Sequence, residues 1–210
     1  MVAVRGSHLL NPQDFVIEQW CAGLKLAEQT EKSLIDAWYY ARDLMSTHPD
    51  EMKNATLMLQ SGVEMVEILH ELNMDAETLL TAMLFPIVAN KLADWESLKE
   101  KFGAKITKLL KGVLEMDNIR QLNASHSANA LQVDNVRRML LAMVDDFRCV
   151  IIKLAERITF LRDAEHRCAE EDKVLAAKEC SNIYAPLANR LGIGQLKWEL
   201  EDYCFRYLHP

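Results

Sequence analysis

Six apolar residues, Val144, Phe147, Ile151, Leu154, Ile158 and Leu161, are separated by alternating steps of three and four. Side chains that recur with this period fall on one face of an α-helix, so the spacing dictates a helix with a single buried stripe. The helical pattern begins near Gln132, and a break at Asp145-Asp146 would divide it in two. No run alternates apolar and polar side chains for long enough to build a strand, and no segment repeats. An all-α chain is the expectation. At 210 residues and 50% hydrophobic content, it can bury one sizeable core, and one domain is the default.

Start and stop signals extend the helical reading along the chain. Asn11-Pro12 marks a turn before a short helix from about Gln13 to Cys21, and Thr30 opens a second that runs to about Ser46, ended by His48-Pro49. A third covers roughly Glu51 to Leu72. Asp75 caps a fourth, whose Leu79, Leu80, Met83 and Leu84 keep helical spacing until Pro86 breaks or kinks it. Asp94 to Lys101, closed by Gly103, and Lys105 to Gln121 follow. The polar segment from Leu122 to Asn129 reads as a loop. A helix from about Glu171 to Arg190 must bend at Pro186. Gly192 and Gly194 then turn the chain into a last helix with Leu196, Leu200, Tyr203 and Tyr207 as its buried stripe.

Composition excludes several functions. A net charge of −7 argues against a nucleic-acid surface, so no direct DNA contact is expected. The cysteines, Cys21, Cys149, Cys168, Cys180 and Cys204, are odd in number and scattered, with no C-x-x-C pair, as in a reducing, cytoplasmic compartment. No run of apolar residues is long enough to span a membrane, and the first residues lack the apolar stretch of a signal peptide. The histidines show neither H-x-x-x-H nor H-E-x-x-H spacing, so no new metal site is expected. Asp145 and Asp146 would point ~100° apart on a helix and cannot converge on one atom; a solvated face or a helix cap is the simpler reading. Lys153, Arg157 and Arg162 form a basic set that could line a phosphate-binding wall, but positions 153 and 157 lie one turn apart beside Glu156 and read as plain surface ion pairs. Phe85, within an apolar run, reads as ordinary core.

Two stretches carry a family resemblance: "IYAPLANRLGIGQLKWELEDYCFRYLHP" from Ile183 to Pro210, and "VDNVRRMLLAMVDDFRCVIIKLAERITFLR" from Val133 to Arg162. The first resembles the segment that joins the amino-terminal hydrolase domain of RelA/SpoT-family alarmone enzymes to their synthetase domain; the second resembles the core of that hydrolase domain. The resemblance implies an all-α fold, the HD-domain-like helical hydrolase fold of these proteins. It implies a domain at 1–182 and, at 183–210, a helical connection leading to a synthetase. In hydrolytic members, two histidines and two aspartates hold a manganese ion that activates water against a 3′-pyrophosphate.

Matched residue by residue, that pocket is degenerate here. The family's His-Asp pair falls on Phe85 and Pro86, which offer no electron pair to a cation, and the acid/base pair that follows falls on Ala89 and Asn90. The upstream ligand histidine falls on Ser61. An aspartate is lengthened to Glu156, and a pocket asparagine is replaced by Phe160. A lone glutamate cannot hold a transition metal and would pair with Lys153 or Arg157. The resemblance therefore implies no metal, no cofactor and no catalytic residue in this stretch. It implies a pseudo-hydrolase with a regulatory and structural role in a ribosome-associated (p)ppGpp synthetase of the stringent response, closest to the family's monofunctional synthetase branch. The synthetase domain of the same chain, and the ribosome and uncharged tRNA through the full-length protein, would be its partners. Alternatives are a nucleotide-sensing module that binds (p)ppGpp, GTP or GDP without turnover, an active hydrolase using other residues, and self-association through Tyr203, Phe205 or Tyr207.

Overall fold

The computed structural model describes residues 14–48, 52–123 and 130–209. Among them are α1 (Ile17–Leu24), α2 (Glu28–Ser46), α3 (Met52–Glu71), α4 (Ala76–Ala89), α5 (Trp95–Phe102), α6 (Ala104–Asn123), α7 (Ala130–Met143), α8 (Arg148–Arg167), α9 (Glu170–Glu179), α10 (Ala185–Arg190) and α11 (Gly194–Leu208), with a π-helical turn at Cys180–Tyr184 between α9 and α10. No strand occurs among the described residues, and the all-α expectation holds. The Asn11-Pro12 turn, Pro49 and most of the 122–129 loop lie outside the described residues; Leu122 and Asn123 belong to α6.

Two compact units divide the chain, one ending at Leu114 and the next beginning at Glu115, so the boundary falls inside α6. In the first unit, α3 packs along α4, and α2 packs against both. Gly62 marks a close approach of α3 to α4: a Cβ there would lie 3.1 Å from the Met83 carbonyl oxygen. Asp75 caps α4 as expected, accepting the Thr78 N–H at 3.1 Å, and Asp94 does the same for α5 from Ser97 at 2.9 Å. Gly103 ends α5 with φ +91°, a conformation open to glycine without strain. Pro86 does not break α4. The helix runs on to Ala89, and the Asn90 N–H and side-chain amide both donate to the Pro86 carbonyl oxygen, at 3.2 and 2.7 Å.

In the second unit, the break between α7 and α8 falls where Asp145-Asp146 suggested. Asp146 accepts the Arg148 N–H at 3.0 Å and grips the same residue's guanidinium at 2.7 Å, a helix-end role. The break also removes Phe147 from the apolar stripe: Ile151, Leu154, Ile158 and Leu161 are buried, whereas Phe147 is 61% exposed. The helix expected from Glu171 to Arg190 is interrupted by the π-helical turn just ahead of Pro186. Proline has no N–H, so the carbonyl of Asn182, four residues earlier, loses its helical donor; Arg137 of α7 supplies one, its Nε 2.9 Å away. Helix α11 packs on α8, α9, α10 and the π-helical turn, burying Leu196, Leu200 and Tyr203; Tyr207 is half-buried and donates to the Leu161 carbonyl at 2.7 Å.

Candidate functional site

The positions singled out from sequence lie on three helices. In the first unit, Ser61 sits half-buried on α3, one residue before the close approach at Gly62. Helix α4 is buried at Thr78 and Leu79 and continuously from Thr81 to Val88, with Leu80 half-buried between, so its apolar run is core on nearly every face. Within it, Phe85 is 2% exposed and Pro86 is buried. Ala89 and Asn90 lie beyond this run and are exposed, and the Asn90 amide is spent on capping the helix end. An aromatic ring and a pyrrolidine offer no donor atom to a cation, and an exposed amide spent on the helix end is a poor choice for orienting a reacting water.

In the second unit, Glu156 and Phe160 sit on α8. The Glu156 carboxylate lies 2.8 Å from the Lys153 ammonium and accepts from Arg157 Nε at 2.7 Å; the Arg157 Nη2 donates to its other oxygen, and Lys153 also pairs with Asp117 of α6. The expectation that these cations form surface pairs is corrected: Lys153 is 1% and Arg157 3% exposed. Both sit on the inward face of α8 beside Leu154 and Ile158, where a charge persists only with a partner. Burial by itself would push the Glu156 carboxyl up, but the charges of Arg157 and Lys153 outweigh it and hold the carboxyl well below the usual carboxylate range. The Arg157 guanidinium also lies 4.8 Å from the centre of the Phe160 ring, a cation–π contact at the position where a polar amide was looked for. Arg162, the third member of the basic set, donates to Glu199 of α11 at 2.8 Å.

Two polar pairs fall outside the positions read from sequence. Gln60 and Glu64, on α3, are buried, and the Gln60 amide donates to Glu64 at 3.0 Å; their i, i+4 spacing in an apolar run was the available signal. The partnership of Lys153 with Asp117 spans too many residues for any local pattern to find it.

Manganese, the ion held in hydrolytic members of the family resembled, does not fit these residues. In the first unit the matched positions are carbon side chains on α4 and a serine on α3, and in the second the matched carboxylate is already neutralised by two cations. Among the described residues, no group of three or more His, Cys, Asp or Glu side chains is placed to hold a metal ion.

A helical assembly without strands, carrying these positions on α3, α4 and α8, is an HD-type domain: the HD domain family matches residues 37–194, and the chain belongs to it. Within that family, it corresponds to the amino-terminal part of RelA/SpoT proteins. It is 97% identical over its 210 residues to a GTP pyrophosphokinase of Haemophilus influenzae and 55% identical over 213 aligned residues to a GTP pyrophosphokinase of Escherichia coli. In both comparisons the whole chain is covered, but it spans only 28% of the relative's length. A guanosine-3′,5′-bis(diphosphate) 3′-pyrophosphohydrolase of Aquifex aeolicus is 37% identical over 142 residues, 68% of this chain and 19% of that protein. No helix among the described residues is long and apolar enough to cross a membrane.

Proposed function

We propose that this HD domain has lost hydrolysis and serves as a regulatory and structural domain of a (p)ppGpp synthetase. The observation that carries this reading is the closed ion-pair chain of Asp117, Lys153, Glu156 and Arg157, which engages the one surviving carboxylate candidate. A metal would have to displace two buried cations from Glu156, leaving Arg157 without its carboxylate and Lys153 with Asp117 alone. Phe85 and Pro86, packed in the core of α4, support the same conclusion from the other ligand positions. In this reading, the helices from Ile183 to Pro210 carry the pose of the domain to a synthetase domain on the same chain. That domain makes the nucleotide when the full-length protein engages a ribosome and uncharged tRNA in the cytoplasm. The names of the relatives, GTP pyrophosphokinases, support the parent activity.

The test is incubation of the purified chain with ppGpp and manganese. No pyrophosphate is released, and titration with manganese gives no saturable heat. Turnover that disappears in Glu156→Ala overturns the assignment. Saturable heat with ppGpp, GTP or GDP and no turnover transfers it to a nucleotide-sensing module.

A further inference from the structure

Helix α7 is fastened along one side and bare along another. Among its described side chains, from Asp134 to Met143, Leu140 alone is buried. Arg137 holds the Asn182 carbonyl of the π-helical turn, and Arg190 of α10 donates to Asp134 at 3.1 Å. Asn135, Arg138, Met139, Ala142 and Met143 are exposed, and their spacing of three and four sets them on one face of the helix. Met139 and Met143, one turn apart, are 43% and 47% exposed, and the exposed Phe147 carries the apolar strip past the break that ends the helix. Methionine is unbranched and polarisable, and it recurs where one surface must fit another.

The ends of this strip carry opposite charges. Arg138, its side chain 71% exposed, stands at one end, and the exposed Asp145 stands at the other. The underlying sequence is antisymmetric in charge: Arg137 and Arg138, six apolar residues from Met139 to Val144, then Asp145 and Asp146. A second copy laid antiparallel across the strip, about a two-fold axis near Leu141 and Ala142, brings each Arg138 opposite the other copy's Asp145 and each Met139 beside the other copy's Met143. Ala142, at the crossing, has the small side chain that lets two helices approach. A parallel copy would set Arg138 against Arg138. Because one cation balances one anion, the strip has no excess charge to attract a phosphate chain or an anionic lipid surface. Arg138 also reaches Asp134 of its own helix at 3.0 Å, but an exposed pair of this kind contributes little and leaves the guanidinium able to exchange partners.

We infer that the exposed face of α7 is a two-fold contact between two copies of this chain, with Met139, Ala142 and Met143 at its centre and Arg138 against Asp145 at each end. The face is short for a stable interface, so the dimer is weak and forms as concentration rises. The charged ends set the antiparallel orientation, and the methionines supply the apolar area.

The experiment is sedimentation equilibrium of the 210-residue chain up to about 1 mM. The average mass is expected to climb from one chain toward two. Arg138→Asp and Asp145→Arg, each alone, set like charges together at both ends and should weaken association about tenfold or more, with helical circular dichroism unchanged. An equimolar mixture of these two single variants restores opposite charges at both ends, and so does the double variant in one chain; both should associate as the unaltered chain does. This rescue is a readout that mere damage to α7 would not give. A chain that stays monomeric over the whole range overturns the inference. So does a dimer that persists in Arg138→Asp, one that Phe205→Ala dissolves instead, or an equimolar mixture that fails to associate.

Discussion

At the scale of single residues, Glu156 decides between a ligand and a lock, and its charge can be removed without changing its shape. Glu156→Gln leaves Arg157 and Lys153 buried, with only Asp117 to compensate Lys153, and should destabilise the chain by about 3 kcal/mol, read from the urea midpoint at constant slope. The pH dependence has a defined sign. The folded pKa of Glu156 lies below its ordinary value of 4.5, so its contribution is complete above that value and is lost as pH falls through the depressed folded value. The gap between the two proteins should therefore be flat from neutral pH down to about pH 5 and close in stronger acid; a gap that widens on acidification contradicts the lock. The sequence disclosed that Glu156 would pair with Lys153 or Arg157, because their spacing on one helix is enough to infer it. Their burial was not legible. Charged residues default to the surface, and the partner that lets Lys153 stay inside is Asp117 of α6, beyond the reach of local spacing.

At the scale of elements, the instructive case is the passage from α9 to α10. Pro186 predicted a bend, and the chain answers with a π-helical turn whose Asn182 carbonyl is served by Arg137 of α7. Arg137→Ala should cost about 1 kcal/mol, because the bond is exposed and water replaces part of it. In a Pro186→Ala background the helical N–H returns to Asn182, so the same Arg137→Ala change should cost about half as much, a non-additivity that a double-mutant cycle in urea measures. Full additivity would mean that Arg137 holds α7 for some other reason. Helix order, the break after α7, the Asp75 cap and the last helix were all legible, since each follows from local spacing and capping chemistry. Two elements were misread for one reason: periodicity cannot see where a helix stops being covered. Phe147 kept the period of the α8 stripe but falls outside that helix and is exposed, whereas Pro86 lies within a run of apolar packing strong enough to carry α4 past it.

At the scale of the whole molecule, the family match says more about the fold than about any one set of side chains. The HD match runs from residue 37 to 194, across both compact units, while the positions that the resemblance matches with metal ligands hold an aromatic ring, a proline, a serine and a neutralised glutamate. That correspondence was legible only through the family resemblance, because a phenylalanine in an apolar run has no local mark of a replaced ligand. Restoring the matched pair on α4 alone should consequently fail. Phe85→His with Pro86→Asp buries two polar groups in a core built for carbon and should destabilise the chain by several kcal/mol without gaining manganese, since two side chains fall short of the donor set that a divalent ion takes and the Ser61 hydroxyl is a poor ligand. The melting temperature of this variant, followed calorimetrically, should not rise as manganese is added, because a stabilising ion must bind the folded chain. Manganese-dependent stabilisation would show instead that donors beyond these positions remain, and the proposed loss of metal chemistry would fall with it.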